Sequence, residues 1–161
     1  GYEFMLLPVP RHGESGYEWW SGALRSKIVR ILGGIDAYEG RPGNSKALLP
    51  DHKFPEARWD EATRRDTLEH LTEAEISRDF QLVTNQRNQQ KREVCRRCLQ
   101  TGQRGYPFGI PYYYVGSVVW PAGVPKRGKA AEAGCLGCGW YDLQAWRSSI
   151  IDACGASSPD A

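Results

Sequence analysis

Apolar residues recur at helical spacing in two stretches of the chain, and shorter apolar runs between them read as strands. In the first stretch Leu24, Ile28, Ile31 and Leu32 predict a helix with Ser21 as N-cap and Gly33-Gly34 as its stop. Trp19 and Trp20 are expected at its entrance. Near the carboxyl end, "WYDLQAWRSSIID" predicts an amphipathic helix with Trp140, Leu143 and Trp146 on one side. Between them, "ALL" and "DFQLV" read as strands, and "NQRNQQKREVCRRC" has a helix-forming composition. Thr72 and Glu75 form a T-x-x-E capping box, which starts a short helix through Ile76. "IPYYYVGSVVW" reads as a strand, one arm of a hairpin, and "PAGVPKRGKAAEAG" as a mobile loop. Residues 1–17 read as a short extended segment and a loop, and "GASSPDA" as a frayed tail. The mixture predicts an α+β fold.

The order strand, loop, strand, helix changes what this pattern means. It places Asp51 and His52 at the end of one strand and Asn88 near the start of the following helix, where the three side chains can converge. An acid, an imidazole and a carboxamide can grip one divalent cation and activate one water. Those are the parts of a nuclease. The plainer alternative for Asp51-His52 is a turn at a strand end with a satisfied histidine. His12 and His70 sit in polar surroundings and read as surface residues.

Composition and charge narrow the partners. A chain of 161 residues with 40% hydrophobic content fits one domain with a modest core. The formal net charge of +2 carries no argument alone, but the distribution does. From Thr84 to Gly105 there are six basic residues against one acid, whereas from Asp51 to Asp79 acids outnumber bases nine to five. Positive charge thus gathers just after the Asp51-His52 pair, where a polyanion would need it. A solvated helix face is the alternative for such a run. No apolar run approaches a membrane span and no signal-peptide pattern opens the chain, so an intracellular, cytoplasmic setting is expected.

Four of the five cysteines form two CxxC pairs, Cys95/Cys98 and Cys135/Cys138. Two such knuckles can present four thiolates to a structural Zn²⁺. Disulfides or a redox pair are the alternative, weakened by the intracellular reading. Cys154 is expected to be a free thiol.

"DHKFPE" followed by "FQLVTNQRNQQKREVCRRC" resembles the HNH, or ββα-metal, nuclease motif, with a D-H pair on the first strand answered by N-x-x-K on the helix. With "GCLGCGWYDLQAWR" the likeness extends to zinc-containing HNH restriction endonucleases. The resemblance implies a ββα-metal core at residues 47–94, a helical extension at 1–46 and a zinc-bound part at 95–154. It implies His52 as general base, Asp51 and Asn88 as ligands of a catalytic Mg²⁺ or Mn²⁺, and Cys95, Cys98, Cys135 and Cys138 as ligands of a structural Zn²⁺. The middle position departs from the family: Asp79-Phe80-Gln81 stands where asparagine is frequent, which leaves the bracing of the site open. Gln81 and Glu56 are candidate partners of the metal-site residues.

The resemblance also implies a prokaryotic setting. The implied substrate is double-stranded DNA, cut by a homodimer at a palindromic site. Arg87, Lys91 and Arg92 are expected to add electrostatic stabilisation. Gln103, Arg104 and the loop with Lys126, Arg127 and Lys129 are the expected base readers. Alternatives are a modification-dependent HNH nuclease domain of a longer protein, a non-catalytic zinc-ribbon nucleic-acid-binding module, and a zinc-stabilised protein-interaction domain.

Overall fold

The first helix, α1 (Gly22–Ile31), forms as its capping signal predicts: the Ser21 hydroxyl accepts a hydrogen bond from Leu24 N at 3.1 Å. That satisfies a donor the first turn leaves open. The computed structural model describes residues 21–65 and 68–155. The expectations for 1–17, Trp19, Trp20 and the residues after Gly155 lie outside that range. α1 stops where Gly33 and Gly34 both take positive φ, 64° and 63°, a conformation glycine enters without the clash a Cβ would bring.

A small antiparallel pair follows, β1 (Ile35–Asp36) and β2 (Arg41–Pro42), which no sequence signal marked. Next come β3 (Leu48–His52) and α2 (Glu73–Asp79), whose Thr72–Glu75 capping box is made in both directions. β4 (Phe80–Thr84) runs directly into α3 (Asn85–Thr101), and α4 (Glu132–Cys135) and α5 (Leu143–Gly155) complete the order. Among the described residues the architecture is α+β, five α-helices with two small antiparallel sheets.

The register of β3 on β4 organises the centre, pairing Leu48 with Thr84, Asp51 with Gln81 and His52 with Phe80. Successive side chains of a strand point to opposite faces. One face therefore carries Leu48, Phe80 and Leu82, which join Leu24, Ile28 and Ile76 of α1 and α2 in one apolar cluster. The other face carries Val83, clustered with Tyr38, Trp140 and Leu143, together with Asp51 and Gln81. A third cluster gathers Phe54, Trp59 and Trp120 around Cys98 and Cys135. Burying each large apolar side chain contributes about 1.5–3 kcal/mol, so three small cores serve where one large one is absent.

α3 is held differently. Of its seventeen residues only Lys91 and Cys98 are buried, two helical turns apart and so on one face. The helix is anchored by an ammonium at one end and a thiol at the other, and it closes on Gly102, whose φ is 72°.

Two expectations need correction. "IPYYYVGSVVW" forms no hairpin strand; only an isolated bridge joins Val119 to Gln103. The aromatic run instead bonds outward: the Tyr113 hydroxyl donates to the Arg104 carbonyl, the Tyr112 hydroxyl pairs with Ser149 Oγ, and the backbone N–H groups of Tyr112 and Tyr114 donate to the carbonyls of Ile110 and Gly137 rather than to a sheet ladder. The stretch "PAGVPKRGKAAEAG", expected as a mobile loop, holds a helical turn and α4 and is tied to Arg58 at both Lys126 O and Gly128 N. Among the described residues no helix is long and apolar enough to cross a membrane.

Candidate functional site

Asp51 and His52 end β3, and each takes its setting from its partner across the sheet. Gln81, opposite Asp51, donates through Nε2 to Asp51 Oδ2 at 2.9 Å, while its Oε1 accepts from Leu143 N at 3.3 Å. One buried carboxamide thus ties the carboxylate to the start of α5. Lys91 reaches Asp51 Oδ2 from α3 at 2.6 Å and also donates to the carbonyls of His52 and Lys53. Both hydrogen bonds to the carboxylate therefore fall on Oδ2, and the residue lines an open cleft.

His52 lies between two rings: Trp59 meets it edge-on with centroids 4.6 Å apart, and Phe80, its strand partner, lies at 4.5 Å. Glu56 Oε1 is 3.8 Å from His52 Nδ1, one turn further along the chain. Gln81 thus contacts Asp51 directly, while Glu56 Oε1 sits beside the imidazole, 3.8 Å from Nδ1. Phe80, at the departing middle position, packs against the histidine ring.

Asp51, His52 and Asn88 all line the same cleft, of about 1210 Å³. Its walls also carry Arg25, Arg64, Arg92, Arg96, Lys126 and Arg127. Arg64 belongs to no motif and Arg96 stands only as a spacer of the first CxxC pair, so a basic-residue count is what bears on them.

The expected DNA contacts divide. Arg92, Lys126 and Arg127 are exposed and line the cleft. Lys91 is buried, at 3% exposure, and is spent on Asp51 and two carbonyls rather than offered to a ligand. Arg104 is also 3% exposed and cannot read a base: its guanidinium donates to the carbonyls of Val115, Ser117, Gly134 and Leu136, so it holds the irregular segment together. Arg87 lies over the Tyr38 ring, 3.9 Å from its centroid. Gln103 is exposed away from the cleft lining, and Lys129 pairs with Glu132. His70 is exposed in a turn and Cys154 is an exposed free thiol.

The four paired cysteines surround one cavity of about 20 Å³, with Cys95 and Cys98 on α3 and Cys135 ending α4. Among the described residues no three His, Cys, Asp or Glu side chains are gathered closely enough to hold an ion. Burial pushes the Cys135 thiol up to about 12 and raises Cys98 and Cys138, against the pull of nearby arginines. Sequence reasoning missed Arg58, which is 1% exposed and donates to Cys98 Sγ at 3.0 Å and to Lys126 O at 2.9 Å. Its guanidinium carbon sits 3.7 Å from the Trp120 ring centroid. Trp140 Nε1, buried at the same cavity, has no hydrogen-bond partner among the described residues.

No protein-family model, curated protein or solved structure matches this chain.

Proposed function

We propose that the protein is a metal-dependent DNA endonuclease of the HNH, ββα-metal type, acting as a restriction endonuclease on double-stranded DNA. The observation that carries this reading is the meeting of Asp51, His52 and Asn88 in one cleft whose walls are basic. Phosphodiester hydrolysis needs a base for a water proton and positive charge for the phosphate, and the cleft offers both. His52 is the base. A carboxylate 3.8 Å from Nδ1 would favour the tautomer with the proton on Nδ1 and the lone pair on Nε2. Trp59 and Phe80 fix the ring plane.

Asp51 and Asn88 would hold the cation. One carboxylate oxygen and one carboxamide oxygen suit a hard ion that keeps several waters. Among the described residues the hydrogen bonds to the Asp51 carboxylate fall on Oδ2, which leaves Oδ1 for that purpose. A bound Mg²⁺ or Mn²⁺ would supply neutralisation of the charge that develops on the phosphate. Arg92, Arg96 and Arg64 would draw in the DNA backbone.

The four thiols suit Zn²⁺ by donor type and pairing, although side-chain rotation is required to bring the sulfurs to about 2.3 Å from one ion. A buried guanidinium donates to Cys98 and a buried indole N–H stands without a partner among the described residues at the cavity, donors that would offset the burial of thiolates held on an ion. A dimer, with one cleft for each strand of a palindromic site, is part of the proposal.

The test is incubation of unmodified and methylated plasmid with Mg²⁺ or Mn²⁺, with and without EDTA. Metal-dependent double-strand cleavage is expected. Cleavage of methylated plasmid alone would make the enzyme modification-dependent, and DNA binding without any cleavage would leave a zinc-bearing binding module in its place.

A further inference from the structure

We infer that Lys91 makes cation binding at Asp51 conditional on a bound phosphate, so that free protein holds Mg²⁺ or Mn²⁺ poorly and loads it together with DNA. This rests on the endonuclease reading and concerns the same site.

The argument begins with the ammonium group. Nζ has three donors and the structure gives it three acceptors: Asp51 Oδ2, His52 O and Lys53 O. At 3% exposure it is a largely buried cation at the cleft wall, and these three acceptors take up its donors. It stands 2.6 Å from the one carboxylate among the three proposed catalytic residues. A divalent cation arriving at Oδ1 meets a carboxylate whose charge is already balanced. Mg²⁺ is commonly held by one or two carboxylates together with substrate phosphates rather than by protein ligands alone.

The rest of the cleft pushes the same way. Its lining has seven Lys and Arg residues, Lys91 included, against Asp51 and Glu56 as the acids. The field attracts phosphate and repels metal. A phosphodiester entering this cleft brings both things the site lacks, anionic oxygen ligands and negative charge. Its arrival turns an unfavourable metal site into a complete one. The dependence is reciprocal: whatever factor DNA adds to metal affinity, metal adds to DNA affinity.

Lys91 is then a positioning residue with a sign that distinguishes it from a purely structural one. A lysine that merely propped up Asp51 would lower metal affinity when removed. A lysine that balances its charge raises it.

The test uses zinc-loaded His52→Ala protein, which keeps both oxygen ligands while slowing turnover, and reads free Mn²⁺ by electron paramagnetic resonance. Mn²⁺ is titrated with and without duplexes cut from plasmid DNA, at low salt. Duplex is expected to tighten Mn²⁺ binding at least about tenfold, within the usual range of coupling between sites. Adding Lys91→Met is expected to tighten Mn²⁺ binding without DNA and to shrink the duplex effect. Equal Mn²⁺ affinity with and without duplex, in a protein whose parent cleaves plasmid, overturns the inference and spares the endonuclease reading. Weaker Mn²⁺ binding in a folded Lys91→Met variant also overturns it. Absence of both cleavage and Mn²⁺ binding removes the reading itself. If Lys91→Met fails to fold by circular dichroism, the comparison with and without duplex decides.

Discussion

The Arg58 guanidinium donates to the Cys98 sulfur at 3.0 Å, and through Nη1 it also holds the carbonyl of Lys126, which lines the cleft. Among the described residues Arg58 has no carboxylate as a hydrogen-bond partner; a buried cation is costly unless anionic charge lies nearby, and thiolates around a zinc ion would provide it. Arg58→Met is expected to lower stability by about 2–4 kcal/mol through lost charge-assisted hydrogen bonds and the Trp120 contact. It should also weaken zinc retention against a chelator. Urea denaturation and a zinc-release assay check the two effects, and an unchanged zinc off-rate would separate Arg58 from the thiols.

Zinc itself should be measurable. Elemental analysis of the purified chain is expected to find about one zinc per chain, and Cys135→Ala should remove it and lower the melting temperature. Gly137→Ala is expected to act similarly without touching a ligand. Gly137 has a φ of 84° between the two cysteines of the second knuckle, and a Cβ there would collide with the Val115 backbone. A Cys135→Ala chain that melts as the parent does, in a parent without zinc, would sink the structural-metal proposal.

His52→Ala should cut plasmid cleavage by about 10²–10⁴-fold, the range for loss of a general base, with the fold retained by circular dichroism. Glu56→Gln should cost less, because it removes only the carboxylate 3.8 Å from His52 Nδ1 and leaves the imidazole in place. Full activity in His52→Ala ends the assignment.

Gln81→Leu removes a carboxamide that serves Asp51 Oδ2 and the N–H of Leu143 together. Leaving that buried N–H without its partner costs about 1–3 kcal/mol. Activity should fall more than for a stability loss alone, because Asp51 loses its brace. A variant destabilised to the same degree in the α1–α2 cluster, such as Ile28→Val, is the control.

Asp79 carries a pH signature. Burial pushes its carboxyl up, but hydrogen bonds from Arg78 and Arg65 outweigh this and hold it below its ordinary value of 3.8. A depressed carboxyl stabilises the fold above the unfolded-state value and loses that contribution as pH falls through the folded one. Asp79→Asn should therefore lower the melting temperature at pH 7 and lose its effect near pH 2. A melting difference that persists at low pH would assign the role of Asp79 to hydrogen bonding rather than charge.

Local signals were legible in the chain. The Ser21 and Thr72 caps, the glycine stop after α1, the two strands and the long polar helix all rest on interactions within a few residues, and periodicity and side-chain type report such interactions directly. The grouping of Asp51, His52 and Asn88 at one cleft was legible for a related reason: strand, strand and helix follow one another with little freedom in how they pack. The cysteine spacing likewise pointed to one cluster, and the four thiols do share a cavity.

What spans the chain was decided only in three dimensions. Lys91 and Arg104 look like surface cations in the sequence, and charge alone cannot tell a phosphate contact from a buried lysine on Asp51 or an arginine that caps four carbonyls. Both are buried because distant segments supply acceptors: β3 and the turn after it for Lys91, the irregular aromatic run and the second knuckle for Arg104. Arg58 carries no motif, and its place between Cys98 and Lys126 depends on contacts 40 and 68 residues away. Sequence determined which side chains could do the chemistry. Tertiary structure decided which charges face the cleft and which are spent inside, because burial and hydrogen-bond partners are properties of segments that meet only when the chain folds.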